Sequence, residues 1–177
     1  MRQAKAAQAL PQIEQLLTEA PRNPSYRNLK AAILANLGDY AGSIGLYEVV
    51  LKEYPQQPKT WMSYGHSLKT AGRQDDSIAA YRRAIALQPA LGEAYWSLAN
   101  LKTVRFSSDD IAAIRAALAR ADLDDDDRLH FEFALGKALE DAGSYQESFA
   151  HYASGNRFRL SLAPYRAGEN SAFVQRS

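Results

Sequence analysis

Apolar and small residues recur along this chain with a long period rather than a short one. Moving residues 64–89, "YGHSLKTAGRQDDSIAAYRRAIALQP", back by 34 positions sets Tyr81 on Tyr47, Ser77 on Ser43, Gly72 on Gly38, Leu68 on Leu34 and Pro89 on Pro55. Moving the segment forward by 71 sets Gly65 on Gly136, Leu68 on Leu139, Gly72 on Gly143, Ser77 on Ser148 and Tyr81 on Tyr152. Between those copies, "GEAYWSLANLKTV" supplies Tyr95, Leu98 and Ala99 where the second copy has Trp61, Tyr64 and Gly65. The period-two alternation of a half-buried strand is absent. The pattern predicts an all-α chain of helix–turn–helix units.

Each recurring position has a physical reason. Gly65, Ala99, Gly136 and Ala31 are small where the two helices of a unit touch, and closer packing offsets the ~1 kcal/mol helix-propensity loss of glycine. Gly38, Gly72 and Gly143 are expected to end the first helix of their units in the left-handed conformation that glycine tolerates. Ser43, Ser77 and Ser148 are small contact positions, while Tyr47, Tyr81 and Tyr152 are expected to fill the core between repeats. Pro55 and Pro89 stop second helices.

A helix–turn–helix period of 34 residues with this aromatic, Leu, Gly, Tyr, small-residue and Pro pattern resembles the tetratricopeptide repeat (TPR). The resemblance implies a right-handed TPR α-solenoid of about nine helices, its concave face lined by the first helix of each repeat. The expected boundaries are a partial N-terminal repeat or cap at 1–23, repeats at 24–57 and 58–91, an irregular repeat at 92–128, a fourth at 129–162, and a tail or the start of a capping or linker helix at 163–177. Ahead of the first full repeat, Ala9, Ile13, Leu16 and Pro21 stand where Ser43, Tyr47, Val50 and Pro55 do, so only a second helix is recognisable there. The irregular repeat opens on a predicted helix at 92–104, and Ser107 or Ser108 is expected to cap the helix that follows "RFSSDD". Pro164 is expected to break the last helix.

Composition narrows the functions without choosing one. The chain has 21 Lys and Arg against 20 Asp and Glu, a net charge of +1, so no overall field draws it to nucleic acid or membrane. It has no cysteine, which excludes disulfides, thiol nucleophiles and cysteine-ligated zinc and fits a reducing, cytoplasmic setting. No run approaches the ~18 apolar residues that span a bilayer, and the N-terminus lacks the apolar stretch of a secretory leader.

Signatures of chemistry are equally sparse. The acidic run at 122–133 lacks the glycine of a calcium loop, and Asp124 to Asp127 read as carboxylates favouring a helix N-terminus. His66, His130 and His151 form no metalloprotease pair, and neither G-x-S-x-G nor a phosphate-binding glycine loop occurs. No catalytic residue, cofactor or metal is expected. Lys59, His66, Lys69 and Arg73, with Trp96 and Lys102 nearby in the repeat pattern, suggest a basic, aromatic surface instead. The candidate partner-binding residues are Lys59, Met62, His66, Lys69, Trp96, Asn100 and Lys137 on the expected concave face, with a protein or peptide as the partner. The chaperone-tail clamp of some TPR proteins is not matched. Its positions hold Asn28, Ala32, Ser63, Glu93 and Ser97 in one register and Met62, His66, Ser97, His130 and Ala134 in the next. The exposed terminal helices of such an array are expected to offer a surface for self-association.

Two stretches go beyond the repeat pattern. "LGEAYWSLANLKTVRFSSDDI" (91–111) and "DRLHFEFALGKALEDAGSYQESFAHYASGNRFRL" (127–160) resemble the TPR arm of bacterial TPR-containing sulfotransferases. That resemblance implies a non-catalytic scaffold preceding a sulfotransferase domain, which would be one of its partners. The Pro-Arg-Ser-Gly-type phosphosulfate loop of that domain does not occur before Ser177, so no catalytic or cofactor residue carries over. The alternative is a free-standing TPR adaptor with no attached enzyme.

Overall fold

The computed structural model describes residues 2–162. The expectations for residues 163–177, including the break at Pro164, lie outside the described residues. Nine helices occur among the described residues, and no strand. They are α1 (Arg2–Glu19), α2 (Pro24–Leu37), α3 (Tyr40–Glu53), α4 (Pro58–Thr70), α5 (Gln74–Leu87), α6 (Gly92–Ala99), α7 (Ser108–Leu118), α8 (Asp125–Asp141) and α9 (Tyr145–Leu162). The chain divides into two units, Met1–Leu98 and Ala99–Ser177.

In the first unit each helix packs on the next, from α1 to α5, and α2 also touches α4 across α3. The expected turn glycines are what close the first helices. Gly38 has φ 90°, Gly72 φ 81° and Gly143 φ 79°. At each of the three, the glycine N–H and the following N–H turn back to the end of the helix. Gly72 donates to Lys69 O at 3.1 Å and Arg73 to Leu68 O at 2.9 Å, with the same pattern at Gly38 and at Gly143. The second helices end at their prolines as expected, α3 at Glu53 and α5 at Leu87.

The small positions are contacts between helices. A Cβ built on Gly65 would lie 2.6 Å from the Tyr81 ring, and one on Gly136 would lie 3.0 Å from the Tyr152 ring. Ala31 and Ala99 are buried at the matching positions. Ser43, Ser77 and Ser148 are buried too, and each hydroxyl finds a partner: Ser67 Oγ at 3.0 Å, Gln74 O at 2.9 Å and Gly136 O at 2.7 Å respectively. Tyr47 and Tyr81 sit in the core. Tyr152 does not fully join them: it is half-buried, and its hydroxyl donates to the exposed Glu140 at 3.0 Å.

In the second unit α7 packs on α8 and α8 on α9. One expectation changes here. The helix beginning at Gly92 stops at Ala99 rather than running to residue 104: residues 100–101 form a turn, and Lys102 beyond them adopts φ 62°, a left-handed conformation through which the helix cannot resume. The acidic stretch does lie at a helix N-terminus: α8 begins at Asp125, where the Asp124 carboxylate accepts from Asp126 N–H at 2.9 Å and caps it. Of the two serines offered as the cap of α7, Ser107 is the one used. It accepts from Asp110 N–H while the Asp110 carboxylate accepts from Ser107 N–H, a reciprocal capping box.

Candidate functional site

An open trough runs between the first helices α2 and α4 of the first unit. One part of it, about 350 Å³, has Ala32, Ala35 and Asn36 on the α2 side and Ser63, His66 and Thr70 on the α4 side. A second depression of about 310 Å³ shares Ala32, Tyr47 and Ser63 with it and extends to Asn28, Leu29 and Lys59. The two therefore form one continuous trough with Tyr47 as its floor. Small side chains, Ala32, Ala35 and Ser63, line much of it.

The electrostatics of the trough are simple. No Asp or Glu lines it, and Lys59 is its single lysine, exposed at one end. At the other end His66 is held in place: its Nδ1 lies 2.8 Å from the Tyr81 hydroxyl and its Nε2 3.6 Å from Glu93 Oε1. Burial pushes the Tyr81 phenol well above its ordinary pKa of 10.0, opposed by a hydrogen bond from Ser97 and supported by the nearby Glu93 carboxylate. Tyr81 is therefore a neutral anchor that fixes one ring nitrogen of His66. Near the Lys59 end, the Asn28 side-chain amide donates to Gln57 Oε1 at 3.1 Å and to Thr60 Oγ1 at 2.9 Å, which ties α2 to the start of α4.

The sequence-predicted binding residues are scattered relative to this trough. Lys59 and His66 line it. Met62 is buried at 8% exposure and belongs to the core, because its position on α4 faces inward. Lys69 is exposed on α4 but lines neither depression. Arg73, from the same basic cluster, is engaged by Asp76 Oδ2 at 2.7 Å and Glu48 Oε1 at 3.7 Å. Trp96 is half-buried on α6 in the first unit. Asn100, exposed just past α6, belongs to the second unit, as does Lys137, which is half-buried and paired with Asp141. The trough also holds Asn28, Ala32, Asn36 and Ser63. Asn28, Ala32 and Ser63 entered the sequence analysis only as positions of the chaperone-tail clamp, and Asn36 was not singled out there.

No group of three or more potential metal ligands occurs among the described residues, and within the 122–133 run Asp124 caps α8 while Asp125, Asp126 and Asp127 form its first turn. Among the described residues no helix is long and apolar enough to cross a membrane.

Comparison with known proteins places the fold. Tetratricopeptide-repeat family models match residues 1–58 and residues 58–91. No curated protein matches. Among solved structures, a crystal structure of MamA is similar at 16% identity with a TM-score of 0.65, covering 92% of this chain and 93% of its own. MamA 41-end from Desulfovibrio magneticus RS-1 is similar at 20% identity and TM-score 0.61, covering 89% and 88%. TTC0263, a thermophilic TPR protein of Thermus thermophilus, is similar at 18% identity and TM-score 0.64, covering 97% and 90%. At these identities the likeness is one of fold. The chain carries tetratricopeptide repeats over residues 1–91, in an all-α fold of the TPR solenoid class.

Proposed function

We propose that this chain is a non-catalytic protein-interaction scaffold that holds an extended segment of a partner protein in the trough between α2 and α4. The observation that supports it is the trough itself: a continuous groove with an aromatic floor, small walls and a lone lysine at one end. Extended peptides suit such a surface because their backbone can approach closely where side chains are small. The test is an array of short synthetic peptides probed with the parent chain, with Ser63→Trp to fill the trough and with Lys59→Glu to reverse its charge. Peptides held by the parent should be lost with Ser63→Trp, and acidic ones also with Lys59→Glu. Binders indifferent to both substitutions would place the site elsewhere.

A finer reading is that the scaffold is the N-terminal arm of a longer, cytoplasmic sulfotransferase, its own catalytic domain being one partner. Its support is the resemblance of residues 91–111 and 127–160, which spans the interruption where α6 stops at Ala99. A free-standing adaptor accounts for the repeats equally well. Reading the gene beyond the codon for Ser177 separates them: a strand followed by a Pro-Arg-Ser-Gly-type loop supports the arm, and a stop codon leaves the adaptor.

A further inference from the structure

His66 stands between a phenol and a carboxylate at one end of the trough. Its side chain is 37% exposed, its Nδ1 lies 2.8 Å from the Tyr81 hydroxyl, and its Nε2 lies 3.6 Å from Glu93 Oε1. Glu93 comes from the first turn of α6 and lines neither depression, so its charge reaches the trough at His66.

These neighbours fix which ring nitrogen carries the proton. A neutral imidazole has one N–H and one bare lone pair. A lone pair on Nε2 would face the Glu93 carboxylate, two negative ends together. With the proton on Nε2, the N–H faces the carboxylate and the Tyr81 hydroxyl donates to the lone pair of Nδ1. The second arrangement is the favoured one. At 3.6 Å the Nε2–H is still too far from Glu93 for an ordinary hydrogen bond, so a guest can take that donor. A neutral acceptor such as a peptide carbonyl gains the bond. A carboxylate in the same place gains it too but meets the like charge of Glu93.

The other end of the trough has the opposite preference, because the exposed Lys59 attracts a carboxylate there. Lys59 and His66 are seven positions apart on α4, two helical turns, and so share a side at a separation of about 10 Å. Three residues of polyproline-type extended chain cover about 9 Å and bring side chains i and i+3 back to one side.

Taking the trough as the binding site, as the reading above does, we propose that the Tyr81–His66–Glu93 chain makes one end of it a donor for neutral acceptors that refuses carboxylates. The partner segment then carries a carboxylate for Lys59 and an uncharged residue three positions away, at His66. Tyr81 and Glu93 are positioning residues that act through His66, and Glu93 sets the specificity by repulsion.

The probes are blocked hexapeptides of Pro and Ala with Asp at position 2, at position 5, or at both, titrated into the full chain at about pH 8 to keep imidazoles neutral. The peptide with both acids should bind the parent about ten-fold more weakly than the better of the two single-acid peptides. In Glu93→Gln that ratio should fall to about one, and in Glu93→Ala likewise. Nitrogen NMR of the imidazole, assigned by the signals lost in His66→Asn, should show the proton on Nε2. A proton on Nδ1, a second acid that costs the parent nothing, or a ratio that persists in both Glu93 variants would each overturn the proposal. If no hexapeptide bound the parent, or Ser63→Trp still held them, the trough reading itself would fail and this proposal with it. Peptides lost with Ser63→Trp but indifferent to a second acid would sink this proposal alone.

Discussion

Gly65 shows how much can rest on a missing methyl group. The Tyr81 ring occupies the place its Cβ would take, at 2.6 Å, and Tyr81 in turn bonds His66 and Ser97. Gly65→Ala must push that ring aside and should cost about 1–3 kcal/mol, an overpacking penalty. Gly136→Ala should cost less, because its neighbour Tyr152 stands 3.0 Å away and is only half-buried. Denaturant midpoints of the two variants check the ranking. A second residue-scale expectation concerns alkali. An unfolded Tyr81 ionises near its ordinary value of 10.0, whereas in the fold burial holds the phenol neutral to higher pH. Its contribution to stability is therefore complete below pH 10 and is lost as pH rises beyond it. Tyr64, pushed up to about 12 by partial burial and the Glu48 carboxylate that accepts its hydroxyl at 2.9 Å, adds to the same trend. The melting temperature should fall above pH 10, and less steeply in Tyr81→Phe.

At the scale of the element, the regular repeats could be read from sequence because single residues settle their ends. A glycine at φ 81° or a proline after the last turn leaves the helix nowhere to go, so the ends around Gly72, Pro55 and Pro89 were legible. The early end of α6 was not. "SLANLKTV" holds neither glycine nor proline, and the left-handed lysine just past the turn at 100–101 is a conformation that no propensity announces. Such a conformation costs a non-glycine residue about 1–2 kcal/mol. Lys102→Gly should leave the melting temperature unchanged or raise it, and Lys102→Ile should lower it, since β-branching makes that backbone harder still. A large loss of stability in Lys102→Gly would mean that the lysine side chain itself holds the turn. The candidate site was legible in the same uneven way. Lys59 and His66 could be placed on first helices, whereas the inward turn of Met62 depends on packing that no spacing encodes; the i,i+4 spacing of Lys137 and Asp141 was available as a signal of their pairing.

Over the whole molecule, the repeat pattern divides into a first unit that two family matches span almost completely and a second in which the period drifts. The trough lies in the first unit, where four helices keep strict register. Between α6 and α7 the chain runs from residue 100 to 107 without helix, at the division between the units, and exposes both Lys102 and Arg105. Helical backbone resists proteases because it has to unfold locally before it fits their clefts, whereas an exposed link with a basic side chain fits as it stands. Among the described residues, brief treatment with trypsin should therefore cut first after Lys102 or Arg105. Mass spectrometry of the first products would show two fragments meeting between residues 102 and 106. The link that follows α6 would then be the first point of scission among the described residues.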